Sequence, residues 1–408
     1  MTLYEELKWR GLIKDEAGEN LEEKINKGGL TFYWGTDPSA DSLHIGHLSS
    51  LLTAKRLEMG GHHPILLVGG ATGLIGDPRP TTERAMISKE TVEHNYNCLH
   101  KQIKDLFGYE MVNNYDWSKD INFIDYLRDY GKYFNVNYML DKDIIKRRLE
   151  SGITYTEFSY MIMQALDFLW LFENKGCTMQ AAGSDQWGNI TAGIDLIRKK
   201  TGKEAYGFTM PLVTDKNGNK IGKTAGNAIW LDKNKTSSYE LYQFFLNSED
   251  EMVVDYLKIY TFLSKEEIEK IAEEHKQNPE LRKAQKILAK EIVSFLHGKD
   301  DAEKAIQMSE TLFSGHVKNL TTKEIIDVFK GVPTFEAKNN MNIIDMLVNG
   351  KIASSKREAR EFVNAGSITI NEEKITDENY NVTKELAIDN EILVVRRGKK
   401  KYFIGKIN

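Results

Sequence analysis

The chain has 408 residues, 41% hydrophobic and 28% charged, with a formal net charge of −5. That length allows two or three domains with a sizeable core, and the balance is ordinary for a soluble protein. No apolar run approaches the roughly 18–20 residues of a membrane span, Met1 to Glu6 lacks the basic start and apolar core of a signal peptide, and two cysteines, Cys98 and Cys177, build neither a disulfide framework nor a zinc cluster, so a cytoplasmic setting is expected.

Residues 1 to about 28 read as helical and polar. From Leu30 to about Lys220, short apolar runs alternate with helical patterns. Leu30-Thr31-Phe32-Tyr33-Trp34, Pro64-Ile65-Leu66-Leu67-Val68 and Thr178-Met179-Gln180-Ala181-Ala182 each end at glycine. Strands alternating with helices predict an α/β, Rossmann-like, mostly parallel sheet covered on both faces. Ligands in such sheets bind at the carboxyl ends of strands, so three loops are expected to converge on one crevice. The catalytic domain is placed at 1–225, with an aromatic, helical insertion near 114–174. There Phe123, Tyr126, Leu127, Tyr130, Phe134, Tyr138 and Tyr155 supply either core or a subunit interface. A helical domain follows over 226–330, with capping boxes at Ser237/Glu240, Ser264/Glu267 and Thr321/Glu324. A linker is expected at 331–340 and a small α+β domain at 341–408. That tail is mildly basic on an acidic protein and carries Arg396, Arg397, Lys399, Lys400 and Lys401 in one cluster.

The chemistry concentrates in four stretches. His44 and His47 open the helical pattern Leu48, Leu51, Leu52, Ala54, Leu57, with Gly46 between them. A helix start offers N–H donors and partial positive charge, which favours a nucleotide's phosphates; plain capping or packing is the competing reading. Metal ligation fits poorly, because the spacing is wrong for a zinc helix and no cysteine is near. Gly218-Asn219-Lys220-Ile221-Gly222-Lys223-Thr224 nearly matches a phosphate loop but is one residue short. It reads instead as a hairpin turn at Asp215–Gly218 and a loop whose two lysines either stay solvated or close over a polyphosphate. Tyr160, Gln164 and Asp167 share one helix face, so they either satisfy each other in the core or line a polar site. Gly183-Ser184-Asp185-Gln186-Trp187-Gly188-Asn189 is a polar, glycine-flanked segment after a strand.

Together these stretches resemble a class I aminoacyl-tRNA synthetase of the bacterial tyrosyl branch. His44-Ile45-Gly46-His47 is similar to the first signature of the class and Lys220-Ile221-Gly222-Lys223-Thr224 to a degenerate second one. Asp37-Pro38-Ser39-Ala40-Asp41-Ser42-Leu43, Phe158-Ser159-Tyr160 with Gln164 and Asp167, and Gly183–Asn189 resemble tyrosyl-specific stretches; the tail resembles a small RNA-binding module of a ribosomal protein. The resemblance implies a tyrosine–tRNA ligase. Tyrosine and ATP form tyrosyl-adenylate and pyrophosphate, and tyrosine then passes to the 3′ end of its tRNA. It implies catalytic roles for His44, His47, Lys220, Lys223 and Thr224. Tyr33, Asp77, Tyr160, Gln164, Asp167 and Gln180 are implied around tyrosine. Gly35, Asp37, Ser39, Gly46, Gly183, Asp185, Gln186 and Lys223 are implied around ATP. Mg²⁺ is implied with ATP, with no resident cofactor and no protein metal site. The partners implied are tyrosine, ATP, the cognate tRNA on the basic tail cluster and a second copy in a homodimer, with no membrane.

Two departures stand out. Trp34 occupies a position where relatives often carry cysteine, and the loop Asp77–Arg84 lacks a lysine found in some of them, leaving Arg79 or Arg84 as substitutes. The rival readings are a tryptophanyl enzyme and an RNA-binding protein with an inactive body. Tyr33 with Asp167 disfavours the first, and the intact histidine and lysine stretches disfavour the second.

Overall fold

A computed structural model describes residues 1–78, 86–224, 227–314, 317–330, 332–398 and 401–408. They form two compact units, 1–235 with 249–284, and 236–248 with 285–408. No helix among the described residues is long and apolar enough to cross a membrane.

The first unit is built on six strands: β1 (Glu16–Ala17), β2 (Thr31–Thr36), β3 (His63–Val68), β4 (Glu110–Asn113), β5 (Cys177–Gly183) and β6 (Tyr206–Met210). Their order is β1-β6-β5-β2-β3-β4, and every neighbour is parallel except β1 against β6. Successive residues Phe32 and Tyr33, and Ile65 and Leu66, are all buried. Both faces of the sheet are therefore covered, which is why these strands read as continuous apolar runs. The strand order reverses between β2 and β5, and a crevice opens there at the carboxyl ends. The β2–β5 register sets Tyr33 beside Gln180.

The helix Ile45–Met59 follows β2. Leu48, Leu51, Leu52, Ala54 and Leu57 are buried, and the helix stops at Gly60, with Gly61 in the left-handed region (φ 86°). The helix Tyr155–Lys175 packs its apolar side on the sheet through Ala165, Phe168 and Leu169. In the aromatic insertion, Tyr126, Tyr130 and Phe134 pack against that same core, whereas Phe123, Leu127, Tyr138 and Tyr155 are exposed. The two readings of this stretch thus divide it between them.

The helices Val253–Tyr260 and Lys265–Gln277 belong to the first unit, although sequence reasoning grouped them with the later helices. The physical cause is a pair of buried arginines. Arg10 and Arg56 donate to carbonyls of Lys258 and Thr261, with Leu263 accepting from Arg10 and Ile259 from Arg56. Two guanidinium groups thereby satisfy the carboxyl end of the Val253–Tyr260 helix, where the dipole favours cations. A two-stranded ribbon, β7 (Lys223–Thr224) with β8 (Asn227–Ala228), lies farther along the loop after β6.

In the second unit the capping boxes at Ser237 and Thr321 are both formed, as is the one at Ser264 in the first. The stretch expected as a linker is corrected: it holds strand β9 (Thr334–Ala337). A small pair, β10 (Met341–Asn342) with β13 (Asn381–Val382), lies beside the tail sheet, whose strands are β11 (Ile368–Ile370), β12 (Glu373–Ile375), β14 (Ile392–Arg397) and β15 (Lys401–Ile407). The tail sheet runs β12-β11-β14-β15-β9, with β9 parallel to β15. Val317, Leu320, Ile325 and Phe329 share a buried cluster with Ile388, Ile392, Val394 and Ile404, so the tail packs on the preceding helices.

Candidate active site

The crevice between β2 and β5 is a cavity of about 310 Å³. The histidine helix starts on its wall. His44 is the helix N-cap, and its Nδ1 accepts from the Gly46 N–H at 3.1 Å; His47 Nδ1 accepts in turn from the His44 N–H at 3.2 Å. The two rings stack at 3.9 Å between centroids. Because each Nδ1 is an acceptor, each neutral ring carries its proton on Nε2. Capping and ligand binding, competing readings in the sequence, are therefore compatible, since the cap fixes which nitrogen is the donor. Gly46 is required for this: a Cβ there would lie 2.9 Å from His44 Cε1, so the flat group that approaches this backbone is the His44 ring. The expectation of open N–H groups at the helix start is corrected. The Ile45 N–H donates to Ile229, the Gly46 N–H to His44 and the His47 N–H to the His44 carbonyl.

The lysine stretch reaches the same wall. Its hairpin forms as expected, with the Gly218 N–H donating to Asp215 and Thr214 bridging Lys220. Lys220 and Ile221 line the cavity. Gly222 takes φ 79°, and a Cβ there would come within 2.2 Å of Ile45 Cγ2, so glycine is needed for this close approach. Past the loop, the Leu231 N–H donates to Leu43 and Lys235 pairs with Asp41 at 2.7 Å. The side chains of Lys223 and Thr224 lie outside the described residues, as do Arg79 and Arg84.

The deep end of the cavity is a polar network on an apolar floor. Tyr160 donates to Asp37 (3.0 Å), whose other oxygen accepts from Thr72 (2.7 Å). Gln186 donates to Asp77 (3.0 Å), and Asn189 donates to both Gln164 and Gln186 (2.9 Å each). Asp37 and Gln186, expected around ATP, are thus engaged with residues expected around tyrosine. Asp167 is buried and accepts from Asn114 and Trp117, each at 2.9 Å. Burial pushes its carboxyl up to about 7, the two donors pull against that, and Asp37 adds to the rise. Beside it, the Tyr33 hydroxyl and Gln180 Oε1 are buried with no hydrogen-bond partner. Such groups are costly when left unmade, so their place in a cavity marks a ligand-facing surface.

Apart from Lys223 and Thr224, whose side chains lie outside the described residues, every residue expected around tyrosine and ATP or in catalysis lines this one cavity, including Gly35, Ser39, Gly183 and Asp185. Sequence reasoning missed Thr72, Asn114 and Trp117, and it quoted Asn189 without a role. Their signal was weak: Asn114 follows a four-residue strand that sequence reading did not identify. Among the described residues, no group of three His, Cys, Asp or Glu side chains is placed to hold a metal. In the second unit, Arg397 donates to the Ile352 carbonyl and lies over the rings of Phe362 and Phe403, so it is engaged within the tail. Lys401 is exposed, and Lys399 and Lys400 lie outside the described residues.

Residues 25–314 match the family model "tRNA synthetases class I (W and Y)", and residues 324–405 match "Tyrosine--tRNA ligase SYY-like C-terminal domain". The chain is 50% identical to Tyrosine--tRNA ligase 1 of Streptococcus thermophilus over 99% of both chains. It is 49% identical to Tyrosine--tRNA ligase 1 of Enterococcus faecalis over 100% of both. Among solved structures, a C-terminally truncated mitochondrial tyrosyl-tRNA synthetase from Aspergillus nidulans matches with TM-score 0.68 and 36% identity, over 76% of this chain and 94% of that one. A tryptophanyl-tRNA synthetase from Encephalitozoon cuniculi shares the fold at 17% identity and TM-score 0.54, over 73% of this chain and 87% of that one.

Proposed function

Because this chain belongs to the class I tRNA synthetases, in the tyrosine–tRNA ligase branch, we propose that the crevice activates tyrosine by the following division of labour. ATP is a substrate of the reaction. Mg²⁺ arrives as the counter-ion of its phosphates, and the chain's own residues do the positioning. Tyr33 and Asp167 take the substrate phenol. Asp77, Tyr160 and Gln164 surround its ammonium group, and Gln180 faces the bound tyrosine. The carboxylate, already an anion, attacks the α-phosphorus; the bond to the β-phosphate oxygen breaks, and pyrophosphate leaves with the charge. No general base is needed. The catalytic work is alignment and stabilisation of that leaving charge. His44 and His47 offer Nε2–H donors, and Lys220, Lys223 and Thr224 come from the adjoining loop. Gly46, Ser39, Gly183 and Asp185 hold the nucleotide. The tail carries the cognate tRNA, and the enzyme works in the cytoplasm.

The observation that carries this reading is the unpartnered Tyr33 hydroxyl and Gln180 side-chain carbonyl beside the buried Asp167 carboxylate, which burial pushes up to about 7. A site built to bond a hydroxyl rejects phenylalanine, because its buried polar groups would then stay unpaired. Asp167 already accepts from two N–H donors, so only its ionised form takes a phenol as a third. Tyrosine binding therefore favours loss of the Asp167 proton. Affinity is expected to fall as pH drops below about 7, by up to about 10-fold per unit, and to level off above it. Tyrosine-dependent exchange of pyrophosphate into ATP, measured across pH 5.5–8.5, tests both points. Absence of exchange with tyrosine, or faster exchange with tryptophan, overturns the function. A KM for tyrosine that still follows this profile in Asp167→Asn overturns the assignment of the titrating group.

A second copy of the chain is proposed to cover the outward side of the aromatic insertion, where Phe123 is 69% and Tyr155 63% exposed. Large exposed apolar side chains gathered in one stretch of chain favour an interface. Light scattering is expected to give twice the chain mass, and Phe123→Asp to shift the mass toward the monomer; a monomeric parent protein removes the inference.

A further inference from the structure

The helix Val253–Tyr260 carries two buried tyrosines four residues apart, Tyr256 and Tyr260, and neither enters the cavity. At such spacing both project from one side of the helix. The Tyr260 hydroxyl donates to the Ile45 carbonyl (3.4 Å) in the first turn of the histidine helix. The Tyr256 hydroxyl donates to the Thr214 carbonyl (2.9 Å), and Thr214 is the residue bridged to Lys220 across the hairpin. Lys216, in the hairpin turn, pairs with Glu249 (3.1 Å), just before the same helix. At the carboxyl end of this helix, Arg56 of the histidine helix holds the carbonyls of Lys258 and Ile259.

The helix is therefore tied at two places to the element bearing His44 and His47, and at two places to the hairpin bearing Lys220. Phenylalanine would fill the space of Tyr256 equally well. A buried hydroxyl is costly without an acceptor, and its acceptor here is hairpin backbone. We propose that Tyr256 is a positioning residue for tyrosine activation: its hydroxyl holds the Thr214–Lys220 hairpin so that Lys220 is kept on the cavity lining shared with the histidines. The inference rests on the reading of Lys220 as a partner of the leaving pyrophosphate.

The test is a double-mutant cycle on the full chain, followed by pyrophosphate exchange. Tyr256→Phe is expected to lower kcat about 10-fold, because small misplacements of a charged group are expensive at the transition state. The KM for tyrosine, set by the deep end of the cavity, is expected to stay within about twofold. In a Lys220→Ala background, Tyr256→Phe is expected to cost less than about twofold, since the group it positions is gone. Equal losses in both backgrounds, or a rise in the KM for tyrosine that matches the loss of rate, overturn the proposal in favour of a purely structural role. Should Tyr256→Phe melt below the assay temperature, Glu249→Gln loosens the same hairpin by weakening its ion pair with Lys216 and is expected to show the same split; full activity in that variant overturns the proposal. If Lys220→Ala is itself fully active, the reading of the lysine loop fails. If Lys220→Ala is slow while Tyr256→Phe is not, only the present inference fails.

Discussion

Replacing His44 by alanine is expected to slow tyrosine activation about 10²- to 10³-fold while tyrosine affinity stays within about twofold. The ring has two separable duties. Its Nδ1 caps the helix through the Gly46 N–H, and its Nε2–H is the proposed donor to the leaving pyrophosphate. Loss of an N-cap side chain costs about 1 kcal/mol of stability, far less than the expected loss of rate represents. His44→Asn separates the two duties. Asparagine is a strong N-cap but too short to place a donor where Nε2 lies, so the melting temperature is expected to recover and the rate to stay low. Single-turnover formation of tyrosyl-adenylate, with equilibrium dialysis for tyrosine, reads out both. Recovery of rate together with stability in His44→Asn would reduce the histidine to a cap.

The largest stability effect is expected at Arg148. Its guanidinium is 5% exposed and grips Glu157, 2% exposed, through two bonds of 3.2 and 2.9 Å, with a further bond to the Gly152 carbonyl. Arg148→Ala leaves a buried carboxylate without its cation, at a cost of about 3–5 kcal/mol. Replacing both partners together, Arg148→Met with Glu157→Leu, is expected to restore most of that, because neither charge is then stranded. Urea denaturation midpoints check the prediction, and a double variant no more stable than Arg148→Ala would contradict it. Glu157 lies in the first turn of the helix that carries Tyr160, Gln164 and Asp167, so the single variant is also expected to raise the KM for tyrosine.

What was legible in the chain was local chemistry and its punctuation. Serine or threonine three residues before glutamate marked helix starts at Ser237, Ser264 and Thr321, and each forms its capping box. Glycine after an apolar run marked the ends of β2, β3 and β5. The cavity was legible because its residues are set by short spacings along single elements. What escaped was whatever depends on distant partners. Strand β4 has four residues, too few to show a period, yet its end brings Asn114 to Thr72 and Asp167. Nothing near Arg10 or Arg56 announces that their partners, Lys258 to Leu263, lie more than two hundred positions later. Strand β9 sits between a glycine–proline stretch and a run of asparagines, composition that reads as a connection until its partner strand is known.

Strand β9 also bears on how the molecule is made. It is translated first of the five strands in its sheet, yet its only neighbour there, β15, is translated last. Until β15 arrives, β9 has no partner in that sheet and β14 keeps an open edge. Closure must then span the whole intervening tail, a long loop whose entropy is lost before any pairing rewards it. The tail module therefore matures after the sheet of the first unit, whose strands are all made earlier. A nascent chain would complete the sheet that frames the candidate site before it completes the tail sheet, and a chain that loses β15 would present two sticky strand edges to its neighbours and to proteases.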